Sequence, residues 1–139
     1  MTASKTAAST SLIAALVAGT LLASGAALAQ GGGPTPKTAE QAAGQQVFHH
    51  CSACHSLDSS KNAFGPSLYN VVGRKAGSLP RFDYSDALKA SNITWTEDNL
   101  RQWIAGNDKF VPGTRMRHIA ITDRAEQDYL IAFLKTLTQ

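Results

Sequence analysis

Both cysteines of the chain fall within one short stretch, Cys51-Ser52-Ala53-Cys54-His55, and that spacing limits what can hold the fold together. A disulfide stabilises by closing a loop in the unfolded chain, with an effect that grows with loop length. A bridge across two intervening residues closes almost none, so a disulfide framework is excluded and the pair is there for chemistry. With 139 residues, 43% of them hydrophobic, the chain suits one small domain rather than a multidomain enzyme or a disordered protein. Its formal charge of +3, from 13 Lys plus Arg against 10 Asp plus Glu, is too slight to point to nucleic acid.

Residues 1–29 carry a single charge, on Lys5, ahead of an uncharged run of Leu, Ile, Val, Ala and small residues that closes on Ala27-Leu28-Ala29. A basic start, a short apolar centre and small residues at the first and third positions before a cut make a secretory signal peptide, with cleavage expected after Ala29. The alternative is an uncleaved anchor, because residues 12–29 are uncharged over about the length at which a membrane span becomes possible. Their many Ala, Gly, Ser and Thr residues make that span a weak one. Residues 30–37, with three consecutive glycines and two prolines, form a flexible lead, and residues 38–139 form the folded domain.

Thr38 followed by Gln41 has the spacing of a capping box, and the following residues hold no Pro and one Gly, Gly44, which predicts a first helix over residues 39–50. Val47 and Phe48 share a face with Gly44, whose missing side chain lets another helix approach closely. The expected partner is C-terminal. Over residues 122–137, Leu130, Ile131, Leu134 and Leu137 recur at helical spacing opposite Asp123, Arg124, Glu126 and Asp128. Shorter helices are expected over residues 67–72, stopped by Gly73, over 85–90, and over 96–105, stopped by Gly106. No stretch alternates as a strand does. Helices this short cannot by themselves bury a continuous apolar face, so something other than side chains is expected to fill the centre.

The CxxCH stretch supplies it, being the signature of covalent c-type haem attachment. Two intervening residues hold both sulfurs toward one edge of the macrocycle, where Cys51 and Cys54 can form thioethers with its two vinyl groups while the His55 imidazole reaches the iron. A thiol-exchange site is an alternative that export makes plausible, but no βαβ pattern surrounds the pair. A zinc site using His49, His50 and His55 lacks a second cysteine pair to complete four ligands. Beyond the leader the chain has one methionine, Met116, in Val111-Pro112-Gly113-Thr114-Arg115-Met116, where Pro and Gly prevent a helix and present the side chain from a loop. A lone methionine is a sixth-ligand candidate or a core filler, and composition leaves both open.

From Gly44 to Leu137 the chain resembles a class I cytochrome c of the mitochondrial and bacterial periplasmic type. The resemblance rests on Gly44 and Phe48, Cys51 to His55, Gly65-Pro66-Ser67-Leu68, Gly73-Arg74-Lys75, Phe82 to Ala87, Ile93-Thr94-Trp95, Pro112 to Met116, and Leu130 to Leu134. It implies an all-α fold in which crossed N- and C-terminal helices, short helices and loops surround one covalent haem c. It further implies that His55 and Met116 are the axial ligands and that the first and last helices cross through Gly44, Phe48 and Phe133. The Pro66 carbonyl would hold the other imidazole N–H of His55, and Arg74, Tyr84 and Trp95 would donate to a haem propionate, a carboxylate costly to bury unpaired.

Three positions depart from the family pattern. His118 stands where an aromatic residue is common two places after the methionine, Leu88 where many relatives carry Asn, and Trp103 where they carry Tyr. His118 could also replace Met116 on the iron. The cationic rim is thin, with Lys75, Lys109, Arg115 and Arg117 interrupted by Asp108, which implies weak electrostatic steering. The function implied is a periplasmic carrier of single electrons, not an enzyme. Its donor would be a cytochrome bc complex or dehydrogenase, and its acceptor an oxidase, reductase or reaction centre, met transiently by a monomer. A haem sensor or peroxidase, which needs a vacated iron position, is the competing class.

Overall fold

The structure, a computed structural model, describes residues 34–138. The expected signal peptide, its cleavage site and the start of the lead lie outside the described residues.

Four α-helices stand among the described residues: α1 (Ala39–Ser52), α2 (Asp86–Ala90), α3 (Glu97–Phe110) and α4 (Arg124–Leu134), the last tightening into a 3-10 turn over Lys135–Leu137. Each starts on a side-chain oxygen that accepts a backbone N–H of the first turn: Thr38, Ser85, Thr96 and Asp123. Gln41 reaches one residue further back than a capping box requires and accepts the Lys37 N–H at 2.8 Å. No described helix is long and apolar enough to cross a membrane.

The expected crossing of the terminal helices is the main packing event. At Gly44 a Cβ would overlap the Tyr129 carbonyl oxygen and stand 2.8 Å from Cβ of Phe133, so the two backbones touch where a side chain is missing. One turn on, the rings of Phe48 and Phe133 meet at 5.4 Å between centroids. Phe133 is fully buried, with Leu130, Ile131 and Leu137 beside it.

Two expectations change. Residues 67–72 form turns, not a helix. Asn70 sits at φ 54° and Gly73 at φ 82°, left-handed positions that a right-handed helix cannot pass through. The buried Ser67 hydroxyl meanwhile donates to the Asp58 carbonyl nine residues back and accepts the N–H of Tyr69 two residues on; the second, a local side-chain bond, competes with a helix. In α3, Gly106 (ψ 79°) leaves helical geometry, but the chain resumes to Phe110, so the expected stop is a kink. The only β pairing among the described residues is an isolated antiparallel bridge between Lys75 and Thr94.

α3 and α4 are tied at the surface. Arg101 donates to Asp98 and Glu97 on its own helix and to Asp128 on α4 at 2.8 Å, while Lys135 reaches Glu97 at 2.6 Å. The bond from Arg101 holds the Asp128 carboxyl below the ordinary carboxylate range, with Arg124 acting the same way. A carboxyl depressed in the folded state stabilises fully above the unfolded pKa of about 3.9, and that stabilisation is lost as pH falls through the lower folded value.

Two measurements check this account. Gly44→Ala should lower the unfolding free energy by about 1–3 kcal/mol in denaturant titration, because backbone and not a flexible side chain blocks the added methyl. Asp128→Asn should start less stable at neutral pH and lose less stability than the wild type as pH falls below about 4. Parallel acid limbs for the two proteins would remove Asp128 from the tie.

Candidate functional site

The last turn of α1 carries Cys51, whose carbonyl accepts the N–H groups of both Cys54 and His55 at 3.0 Å. That double bond to one oxygen curls the chain, so His55 turns inward and is buried. Its Nδ1 lies 2.7 Å from the Pro66 carbonyl, which makes Nδ1 the donor and leaves the Nε2 lone pair unused. Gly65 presses on the same ring: a Cβ there would stand 2.6 Å from Cε1 and 2.8 Å from Nδ1. The ring is thus fixed on one side by a carbonyl and on another by bare backbone.

Burial holds His55 below the ordinary imidazole range; the Pro66 carbonyl opposes this, and His118 and Arg74 add repulsion that favours the neutral ring. A neutral imidazole is the form that binds a metal. Neither cysteine is in a disulfide. Burial, with Cys54 nearby, pushes the Cys51 thiol up to about 11, opposite to the lowered value that thiol exchange requires. His49 and His50 are exposed, and no three His, Cys, Asp or Glu side chains gather as a metal cluster among the described residues, so the zinc alternative has no support.

Met116 lies on an extended loop, half-buried against the core. The Met116 carbonyl accepts from Asn107 Nδ2 and from Arg117 Nη1, both at 2.8 Å, and Arg117 also donates to the Thr114 carbonyl at 2.7 Å. Side chains alternate along the loop. Arg115, Arg117 and Ile119 are exposed, while Met116 and His118 turn inward.

Arg74, Tyr84 and Trp95 are brought together. The Trp95 backbone N–H donates to the Arg74 carbonyl at 2.9 Å beside the Lys75–Thr94 bridge, and burial raises the Tyr84 hydroxyl while the Arg74 charge opposes it. Arg74 donates to the Tyr69 and Ser67 carbonyls at 2.9 Å, using two of its five N–H groups. Leu88 and Trp103, the departures noted in sequence, are both core residues, Trp103 packing edge-on to Trp95 at 5.0 Å.

Residues 41–138 match the family model described as Cytochrome c. The chain belongs to the cytochrome c family. It is similar to cytochrome c2 of Rhodoblastus acidophilus, 44% identical over 93 residues that cover 66% of this chain and 87% of the relative. Cytochrome c2 of Blastochloris viridis is 42% identical over 102 residues, covering 72% and 80%. Among solved structures, cytochrome cH from Methylobacterium extorquens superposes with a TM-score of 0.66 at 46% identity, covering 69% of this chain and 97% of that one. This is a class I bacterial cytochrome c, an electron-transfer protein and not an enzyme, with one covalent haem c. The residues present fit that group: two undisulfided thiols at CxxCH spacing, and a neutral, oriented imidazole with Nε2 unused.

Asn107 escaped the sequence reading, since an Asn after a helix-breaking Gly reads as a solvated helix end. In the fold it is buried and holds the Met116 carbonyl. Asn107→Leu should lower holoprotein stability by about 1–2 kcal/mol in guanidinium unfolding, and an unchanged midpoint would show that Arg117 alone suffices.

Proposed function

We propose that this cytochrome is a periplasmic shuttle that passes single electrons between respiratory or photosynthetic partners through a haem ligated by His55 and Met116. Exported protein would lose residues 1–29 and work as a monomer, accepting electrons from a cytochrome bc complex or a dehydrogenase and delivering them to an oxidase, a reductase or a reaction centre. The observation that carries the reading is the 2.7 Å bond between His55 Nδ1 and the Pro66 carbonyl, which orients a neutral ring with one nitrogen left to give. Such a second partner fixes ring orientation and increases ligand basicity.

The haem supplies a centre that changes by one electron. Cys51 and Cys54 anchor it, the Gly65-Pro66 backbone holds His55, and the loop bonded through Asn107 and Arg117 presents Met116. Were His55 and Met116 both to bind the iron, no position would remain for a substrate, which separates this reading from a sensor or peroxidase. Thioether ligation and burial favour the ferrous form. Arg74, Tyr84 and Trp95 would hold a propionate, their clustering lowering the cost of bringing a carboxylate into a poorly solvated site. Encounters with partners rely little on long-range attraction. Arg115 is already paired with Asp83 at 3.2 Å, leaving Lys75, Lys109 and Arg117 as the rim, and the residual attraction is screened by salt.

The test is the optical spectrum of protein exported in a host with haem-attachment machinery. A c-type spectrum with the thioether-to-ferric-iron charge-transfer band is expected, and Met116→Ala should lose the band; its absence from the wild type would remove Met116 from the iron. The mass of the same sample should equal the chain from Gln30 onward plus one haem.

A further inference from the structure

His118 is the residue for which the fold so far supplies no role. Among the described residues its Nε2 is the only buried side-chain nitrogen or oxygen with no hydrogen-bond partner. An unpaired buried polar atom is costly and calls for an explanation. Its Nδ1 lies 2.8 Å from the Ile119 carbonyl, so the proton is held there and the buried Nε2 is left with an unshared lone pair. That is the arrangement of His55, whose Nδ1 is held by Pro66. Two residues from Met116 on an extended strand of loop, His118 shares its inward face, between the exposed Arg117 and Ile119. It lies near enough to His55 for the two rings to feel each other's charge.

We infer that His118 is a second axial ligand carried by the same loop, one that replaces Met116 on the iron in a fraction of the ferric molecules. The inference rests on the haem ligation proposed above. The exchange breaks one iron–sulfur bond to Met116 and forms one iron–nitrogen bond to His118 Nε2; no electron moves, and no proton is released because Nδ1 keeps its own. Ferric iron, the harder ion, favours imidazole nitrogen, whereas ferrous iron retains the softer thioether. Oxidation would therefore bias the loop toward His118 and reduction toward Met116, and electron uptake would be coupled to a local shift of the loop.

Ferric optical and electron paramagnetic resonance spectra of the haem-loaded wild type, His118→Phe, Met116→Ala and the double variant test this. His118→Phe should show a stronger thioether band per haem than the wild type. Met116→Ala should stay low-spin, held by two imidazoles, and the double variant should turn high-spin. A high-spin Met116→Ala protein overturns the inference, as does a double variant that remains low-spin through some other ligand. Should Met116→Ala fail to fold, the band comparison decides alone, equal intensities in wild type and His118→Phe overturning it. The thioether band in His118→Phe also keeps the two readings apart. Its presence leaves the His55 and Met116 ligation standing whatever Met116→Ala shows, and its absence sinks both.

Discussion

Backbone contact between α1 and α4 at Gly44 sets the position of everything at the end of α1. Because the Tyr129 carbonyl occupies the space of the missing side chain, the helices are close enough for Phe48 and Phe133 to pack ring against ring. Gly44, Phe48 and Cys51 follow at spacings of four and three, so they lie along one face of α1. The face that meets α4 thus continues into the first attachment thiol, which explains why Cys51 is half-buried and its thiol raised to about 11. The helix then ends in a curl about one carbonyl that directs His55 inward. Attachment chemistry and helix crossing are one geometric unit.

Away from that crossing, regular structure is scarce and the loops are held by side chains bonding to backbone. Ser67 donates to the Asp58 carbonyl, Arg74 to those of Tyr69 and Ser67, and Asn107 and Arg117 to that of Met116. A buried carbonyl must find a donor somewhere, and in a chain with short helices and a single isolated bridge the donors come from side chains. These bonds give the loops fixed shapes without a ladder or a helix turn.

The crossing was legible because two independent signals met: a glycine on an apolar helical face, and a C-terminal helix with Leu130, Ile131 and Leu134 in register. The caps at Thr38, Ser85 and Thr96 follow from local chemistry alone, whereas Asp123, expected on the polar face of a helix from residue 122, caps one that starts at Arg124. Residues 67–72 misled because Gly73 reads as a helix stop, whereas Asn70 at positive φ gives its N–H to the distant Leu137 carbonyl and Ser67 donates to the Asp58 carbonyl nine residues back. For the site, CxxCH and Pro66 could be named from motif and resemblance, but the clamp on the Met116 carbonyl could not. Asn107 and Met116 are joined only after the kink at Gly106 and the turn through Pro112 bring them together.

The loop that carries Met116 also carries a balance of opposing influences. Arg117 is tied to the Thr114 and Met116 carbonyls, so its charge is fixed beside the proposed ligand instead of sweeping through solvent. Arg74, half-buried and likewise fixed by carbonyls, adds a second. A fixed cation near a redox centre disfavours the state with the greater positive charge, the ferric one, and acts more strongly where water is excluded. The proposed thioether ligation by Met116 would work in the same direction. The proposed ligation by His118 would work against both, since imidazole nitrogen favours ferric iron. On the proposed ligation, residues 116, 117 and 118 would act on one equilibrium from one short segment, two toward reduction and one toward oxidation. The alternation that turns Met116 and His118 inward and Arg117 outward puts both proposed ligands on one side of the loop, where only one at a time could hold the iron, and the Arg117 charge on the other.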